Sequence, residues 1–232
     1  MSKFYIVATP IGNMGDITLR AIETLKSVDL ILCEDTRETK KILDKYGINK
    51  PTMSYPSDDI VGKNSRQSNK FAKIFELLEE GKNLALVSDA GTPGISDPGN
   101  ELIAKIIAAV PNAAIVPVPG PSAVITALSI AGLPASEFLF LGFLPHKKGR
   151  QTMVKKIVAI DTTVVVYESC HRIVKFLQEL IDNGGTALKL VVCRELTKMF
   201  ESIYRGAPAE ILQILQQDKN NLKGEFAIVI GK

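Results

Sequence analysis

The sequence has 232 residues and a formal net charge of +3, from 28 Lys or Arg and 25 Asp or Glu. Hydrophobic residues make up 46% and charged residues 23%, a balance that excludes a disordered or fibrous chain. The length is typical of one large or two compact domains and exceeds that of a mini-scaffold. The excess of basic residues lies after Val116, which indicates a weak preference of the second half for an anionic partner.

Cysteine usage and hydropathy indicate a reducing, cytoplasmic environment. Cys33, Cys170 and Cys193 are widely separated, so neither a metal site nor a disulfide framework is predicted. The first residues lack the pattern of a secretory signal. The uncharged run between Lys105 and Glu137 is long enough to span a membrane. Repeated prolines would interrupt such a helix, so we predict buried elements joined by turns.

The first half alternates apolar, β-rich runs with segments of helical period. This βαβα pattern predicts a parallel sheet that is covered by helices on both faces. One helix is predicted to begin after Asp35, and Thr18 is in place to cap another. The predicted strands of this half are FYIVAT, DLILC, NLALVS and AIVPV, and two predicted helices are TLRAIETLKSV and ELIAKIIAAV.

A proline-rich joint, residues 117–121, divides the chain into predicted domains 1–118 and 119–232. The second domain repeats the alternation of strands and helices. We therefore predict two α/β domains with a cleft between them, and such clefts commonly bind small molecules. Its predicted segments are FLFLGF, a basic helix, TTVVVYES, HRIVKFLQELI, LKLVVC, AEILQILQQ and FAIVI.

Three loops of the first domain follow predicted strands, at the edge where open α/β sheets bind ligands. Residues 8–16 contain neither GxGxxG nor GxxxxGK[ST], which disfavours NAD and ATP chemistry. Residues 34–39 begin with two acids and an arginine within four residues, more polar chemistry than a helix cap requires, although capping by Asp35 or Thr36 explains part of it. Residues 88–99 are rich in Gly, Pro, Ser and Asp, and their length favours ligand binding over a tight connection.

Further polar segments lie at the joint and in the second domain. Residues 119–123 open a helix with small residues, where backbone donors remain available to a ligand. Polar clusters at 167–172 and 194–198 follow predicted strands. Residues 146–156 carry basic side chains without an acid, a composition that suits either a nucleic-acid backbone or an ordinary solvated helix face.

Eight ordered segments resemble the ribosomal RNA small subunit methyltransferase I family, within the tetrapyrrole methylase superfamily. The resemblance extends from Phe4 to about Ile230. It implies a two-domain α/β fold of the class III methyltransferases, with S-adenosylmethionine in the inter-domain cleft. It also implies a homodimer and 2′-O-methylation of a cytidine ribose in the decoding region of 16S rRNA. The segments are VATPIGNMGDIT, CEDTR, SDAGTPGISDPG, VPGPSA, GFLP, YESCHR, RELTKMFE and KGE.

The resemblance also assigns site residues. It places the CEDTR segment in the trough where the acceptor enters, and it implies that a helical RNA-contacting extension of many members is absent after Lys232. The cofactor residues that it implies are Pro10, Asp89, Gly91, Ile95, Ser122, Ala123, Tyr167 and Leu196.

Methyl transfer to a ribose hydroxyl requires in-line positioning and is assisted by a base. Asp35 or Glu34 is the candidate base and Arg37 the candidate substrate or phosphate clamp, while Lys147, Lys148 and Arg150 are candidates for contacting RNA. No metal is predicted. Two alternatives stay open at this point: methylation of a tetrapyrrole or another small acceptor, and a non-catalytic sensor of an adenosyl ligand.

Overall fold

The protein is described from a computed structural model that covers residues 1–55 and 65–232. The chain divides into two compact units, Met1–Ser122 and Ala123–Lys232. The sequence placed the boundary after residue 118, at the start of the proline-rich joint, whereas this division falls just after the joint. Each unit contains a five-stranded sheet with helices, so the predicted α/β class is confirmed.

The sheet of the first unit is parallel throughout, as predicted. Its strands lie in the order β3-β2-β4-β1-β5, so the first strand of the chain lies between the fourth and the fifth. All five strands therefore end at the same edge of the sheet. Their bounds are β1 Lys3–Val7, β2 Leu30–Cys33, β3 Thr52–Ser54, β4 Leu84–Leu86 and β5 Ala114–Val118.

Helices bury both faces of this sheet. Phe4, Leu32 and Leu84 lie in the core on one face, whereas Val7 and Ile31 lie in the core on the other. This alternation follows from the two-residue period of a strand and confirms the predicted double coverage. β3 and the helix α3 were missing from the sequence prediction. The helices of the first unit are α1 Leu19–Ser27, α2 Thr36–Lys45, α3 Ser65–Glu79 and α4 Gly99–Ala109, with a short 3-10 turn at Met14–Asp16.

The sheet of the second unit is mixed, with the strand order β6-β7-β10-β8-β9. β6 and β7 are parallel, and the other three pairings are antiparallel. The last strand thus lies in the middle of the sheet, and the edge strand β9 is an addition to the predicted set. The bounds are β6 Phe138–Phe143, β7 Thr163–Ser169, β8 Lys189–Arg194, β9 Ser202–Gly206 and β10 Glu225–Gly231.

Three of the four helices described in the second unit, those at residues 150–159, 173–182 and 208–217, pack around one large apolar core. Phe176 and Leu180 are fully buried there, together with Val166 and Ile228 of the sheet. In the described residues no helix is both long enough and apolar enough to cross a membrane. The helices are α5 Ala123–Ala131, α6 Arg150–Ala159, α7 Ile173–Asp182 and α8 Pro208–Gln217, with a short 3-10 turn at Lys219–Leu222.

Arg150 is buried, and its assignment to an RNA-binding surface was wrong. Its side chain is 3% exposed, and its guanidinium lies 3.0 Å from the Glu168 carboxylate and 2.8 Å from the Glu179 carboxylate. The reason lies in the helical period, because Arg150, Val154 and Ile157 occupy the core-facing side of α6. The two carboxylates neutralise the guanidinium, so it cannot neutralise a phosphate.

Replacing Arg150 by Leu should therefore destabilise the protein. The substitution leaves Glu179 buried without its arginine partner and removes one of the two arginines that pair with Glu168, and breaking such a pair typically costs about 3–5 kcal/mol. We expect the free energy of unfolding in urea to fall by about 3 kcal/mol, because Arg172 still pairs with Glu168. Lys156→Leu on the exposed side of the same helix is the control and should change it by less than about 0.5 kcal/mol. Equal losses in the two variants would contradict a structural role for Arg150.

Candidate active site

Four segments of the first unit meet at the carboxyl edge of its parallel sheet. They follow β1, β2, β4 and β5 and comprise residues 8–18, 34–35, 87–98 and 119–122. Since these four strands are neighbours in the sheet, the segments lie side by side. The two predicted helix caps are confirmed here, with Thr18 accepting from the N–H of Ala21 and Asp35 accepting from the N–H of Arg37.

A pair of backbone hydrogen bonds joins the first and third of these segments. The Thr9 N–H donates to the Gly91 carbonyl at 2.9 Å, and the Gly91 N–H donates to the Thr9 carbonyl at 3.2 Å. The Thr9 hydroxyl donates to the Ser88 carbonyl at 3.0 Å. From the same segment, the Thr92 hydroxyl donates to the Pro121 carbonyl at 3.2 Å. The edge of the sheet is thereby held as one connected surface.

Two positions on this surface require glycine. Gly91 has a φ of +83°, and a Cβ there would lie 3.3 Å from Ile11 and 3.7 Å from the Pro121 carbonyl. A Cβ on Gly120 would lie 3.0 Å from the Cβ of Ala8. A side chain at either position would press against the neighbouring segment, so glycine allows the segments after β1, β4 and β5 to pack closely together.

Asp97 shapes the tip of the segment after β4. Its carboxylate accepts hydrogen bonds from the N–H of Gly94 at 2.8 Å and from the N–H of Gly99 at 2.7 Å. Ser96 is held at a φ of 62°, a conformation that a non-glycine residue seldom adopts without support from its surroundings. In this turn the Ile95 side chain is 50% exposed, so an apolar group faces outward from a braced loop.

The Asp35 carboxylate forms an ion pair with the guanidinium of Arg37. The carboxylate lies 2.6 Å from Nη2 of Arg37 and also accepts hydrogen bonds from its Nε and backbone N–H. These hydrogen bonds lower the pKa of Asp35 to about 2. A carboxylate with so low a pKa binds a proton weakly, which disfavours Asp35 as a base near neutral pH.

Glu34 lies in the opposite environment. It is half-buried, and desolvation together with the charges of Asp97 and Asp89 raises its pKa above the usual range. Asp89 is close to the same segment, since its carboxylate accepts a hydrogen bond from the Asp35 N–H at 3.1 Å. Desolvation also raises the pKa of Asp89. The edge of the sheet therefore presents several carboxylates, of which Glu34 and Asp89 are better matched than Asp35 to accept a proton.

Tyr167 and Leu196 lie in the second unit, at the ends of strands. The Tyr167 ring packs against Phe140 and Phe143, with ring centroids 5.0 Å and 5.5 Å apart, and burial raises its pKa to about 12. Leu196 is buried between two residues with positive φ, Glu195 at 51° and Thr197 at 66°. Backbone strain of this kind is concentrated at functional sites, and it marks the loop after β8 as a specialised segment.

The basic segment before α6 is exposed at Lys147 and Lys148. Gly149, at a φ of 84°, turns the chain into the helix, and Lys155 and Lys156 are exposed further along it. The surface thus retains four cations after the loss of Arg150.

The structure brings most of the predicted site residues to one edge. Glu34, Asp35 and Asp89 are linked there, and Pro10 and Gly91 flank the Thr9 bridge. Ser122 ends the first unit and Ala123 begins the second. Sequence reasoning missed Thr9, Asp97 and Tyr55. Gly94 and Gly99, on either side of Asp97, are a sequence signal that could have pointed to the hydrogen bonds of its carboxylate. No comparable signal lies near Tyr55 in the sequence. Within residues 1–55 and 65–232, no cluster of three or more His, Cys, Asp or Glu side chains is arranged to hold a metal ion.

Comparison with known proteins identifies the family. Residues 3–212 match the family of tetrapyrrole (corrin/porphyrin) methylases. The chain belongs to this family. Its fold is similar to that of the crystal structure of uroporphyrin-III C-methyltransferase from Thermus thermophilus, with a TM-score of 0.64 over 99% of this chain and 94% of that one. Sequence identity to that enzyme is 17%, so the likeness extends to the fold alone.

Two curated relatives are much more similar in sequence. A protein from Escherichia coli O157:H7 named ribosomal RNA small subunit methyltransferase I is 43% identical over 98% of this chain and 77% of its own length. A Thermotoga maritima protein of the same name is 41% identical over 100% of this chain and 99% of its own length. The resemblance seen in the sequence motifs is confirmed.

Gly91→Trp tests the ligand surface directly. An indole there would press against Ile11 and the Pro121 carbonyl and distort the segments after β1 and β5, so we expect the affinity for S-adenosylmethionine in calorimetry to fall at least tenfold, about 1.4 kcal/mol. Gly47→Trp is the matched control, because Gly47 also has a positive φ (+61°) but no atom lies within 4 Å of its Cβ position. If a folded Gly91→Trp variant binds S-adenosylmethionine as tightly as the parent protein, Gly91 is not part of the binding surface.

Proposed function

We propose that this protein is an S-adenosylmethionine-dependent methyltransferase that acts on small-subunit ribosomal RNA. The observation that carries the proposal is the identity above 40%, over nearly the whole chain, to relatives named ribosomal RNA small subunit methyltransferase I. The finer proposal is transfer to the ribose 2′-oxygen of a cytidine in the decoding region of 16S rRNA. A homodimer and a cytoplasmic location belong to the same proposal.

The residues at the sheet edge fit S-adenosylmethionine in charge and in shape. The ligand carries a sulfonium and an ammonium group, which suit an edge with the carboxylates of Asp89 and Asp97. Gly91 and Gly120 allow the loops to pack into one surface, and Ile95 offers an exposed apolar side chain on it. The residues proposed to hold it are Pro10, Asp89, Gly91, Ile95, Ser122, Ala123, Tyr167 and Leu196.

When bound, S-adenosylmethionine supplies an electrophilic methyl group on a positively charged sulfur. Glu34 would act as the base, accepting the proton of the ribose 2′-hydroxyl on its carboxylate while the oxygen–methyl bond forms and the sulfur–methyl bond breaks, which would leave the sulfur as a neutral thioether. Its raised pKa suits this task, whereas Asp35 is already paired with Arg37. Arg37 keeps its side chain 86% exposed while it holds Asp35, so it is placed to contact a phosphate at the entrance to the site.

The test of the proposal is transfer of labelled methyl groups. The protein is incubated with labelled S-adenosylmethionine and either small-subunit RNA, assembled small subunits or a uroporphyrinogen, and RNA products are mapped for ribose 2′-O-methylation. Label in RNA or subunits at a cytidine ribose supports the proposal. Label in the tetrapyrrole alone would show that the acceptor is a tetrapyrrole and not RNA. Binding of S-adenosylmethionine without transfer to any acceptor would favour a non-catalytic sensor of an adenosyl ligand.

The same assay distinguishes the two acids of the CEDTR segment. In Glu34→Gln we expect the single-turnover rate to fall at least tenfold, a loss of about 1.4 kcal/mol or more in transition-state stabilisation. In Asp35→Asn the fall should be smaller, because that carboxylate organises Arg37 and the start of α2. Affinity for S-adenosylmethionine should stay within about twofold in both variants. A larger loss in Asp35→Asn than in Glu34→Gln would reverse the assignment.

The basic segment is proposed to hold the RNA backbone through Lys147 and Lys148. Each phosphate contacted in single-stranded RNA contributes about −0.7 to the slope of log affinity against log salt, so Lys147→Gln/Lys148→Gln should flatten the slope by up to about 1.4. Lys26→Gln/Lys45→Gln, exposed lysines of the first unit, removes equal charge and should leave the slope unchanged. Identical slopes for the two double variants would show that the segment is an ordinary solvated surface with no role in RNA binding.

A further inference from the structure

Tyr55 lies beside the proposed base although it is 21 residues away in the sequence. It follows β3, which pairs in parallel with β2 so that Cys33 lies opposite Ser54. The pairing continues by one step, because the Tyr55 N–H donates to the Cys33 carbonyl at 3.1 Å. This register places Tyr55 next to Glu34, the residue that follows β2.

The Tyr55 hydroxyl is a buried polar group without a well-formed hydrogen bond. The residue is 5% exposed, and no atom of the described residues completes a hydrogen bond of good geometry to its oxygen. A buried hydroxyl left in this state is costly and rare, which indicates that it acquires a partner in another state of the site. The Glu34 carboxylate is close enough to interact with it, and the charges of Asp97 and Asp89 also act on it.

We propose that Tyr55 is a positioning residue for Glu34. Its hydroxyl donates a hydrogen bond to one oxygen of the ionised Glu34 carboxylate and leaves the other oxygen turned towards the acceptor. The donor has no alternative partner in the described structure, and the backbone bond to Cys33 fixes the distance between the two residues. This inference rests on the proposed function in that Glu34 is taken as the base.

The charges around Glu34 explain why it needs such a donor. Among the described residues, the titratable groups that act on it besides Tyr55 are Asp89, Asp97 and Cys33, with the Asp35 carboxylate next in the chain, and none of these is a cation. Their charges and the burial of the site favour the protonated acid, whereas the Tyr55 hydroxyl favours the carboxylate. Burial and the same carboxylates raise the pKa of Tyr55 far above its usual range, so the phenol stays protonated as a donor.

The experiment is the pH dependence of single-turnover methyl transfer to small-subunit RNA by Tyr55→Phe. Glu34 acts when ionised, so the rate falls as pH falls through the pKa of Glu34. Loss of the donor raises that pKa, and we expect the acid limb of the profile to move up by about one pH unit, with a rate up to about tenfold lower on that limb. Affinity for S-adenosylmethionine should stay within about twofold.

Two further variants isolate the interaction. In Glu34→Gln the acid limb should disappear, and Tyr55→Phe should have no additional effect in that background. Tyr204→Phe is the matched control, because Tyr204 lies in β9 of the second unit and in none of the four segments at the sheet edge, so its loss should leave the limb in place. An unmoved limb in folded Tyr55→Phe overturns the proposal.

A second measurement does not depend on the acceptor. The Glu34 carboxyl carbon is followed by NMR in a pH titration of ¹³C-labelled protein and assigned by its absence in Glu34→Gln. We expect its pKa to rise by about one unit in Tyr55→Phe. If the parent protein transfers no methyl to RNA but the titration shifts, the proposed function fails while the pairing stands. An unchanged titration refutes the pairing whatever the acceptor.

Discussion

The two backbone hydrogen bonds between Thr9 and Gly91 are the constraint on which the rest of the candidate site depends. β1 and β4 are neighbours in the sheet, but a sheet fixes only its strands, and the segments beyond them would otherwise diverge. The bridge continues the pairing past the strand ends. Because Asp89 and Thr92 lie on either side of Gly91, the same bridge fixes the bonds to Asp35 and to Pro121. Four separate connections therefore behave as one surface.

Adjacent carboxylates at this edge have opposite proton affinities. Asp35 faces a guanidinium and a helix N-terminus, both of which favour its charge, whereas Glu34 points towards buried groups and other acids. Glu34 and Asp35 have different surroundings although they are adjacent in the chain, because successive side chains leaving a strand point to opposite sides. An acid that holds the substrate clamp and an acid that accepts a proton can thus occupy one short segment, a division of roles common in enzymes.

The features predictable from the sequence are those with a strong local signal. Four buried strands of the first unit show continuous apolar runs, and Thr18 and Asp35 sit at helix starts, so these were found. β3 has three half-buried residues and no apolar run, so it was missed, and Tyr55 was missed with it. Arg150 was misassigned because a basic run suggests solvent, while its partners Glu168 and Glu179 are remote in the chain and become visible only once α6 and α7 pack together.

The place of β10 in the second sheet has a consequence for the order in which the protein can fold. On the ribosome, the chain emerges from its amino end, and residues 1–122 contain every strand of the first sheet. The second sheet is different, since β7 and β8 are joined to each other only through β10. Until residues 225–231 are available, β7 and β8 each expose an unpaired edge, and such edges promote association between chains. The first unit can therefore mature during synthesis, whereas the second must wait for its central strand.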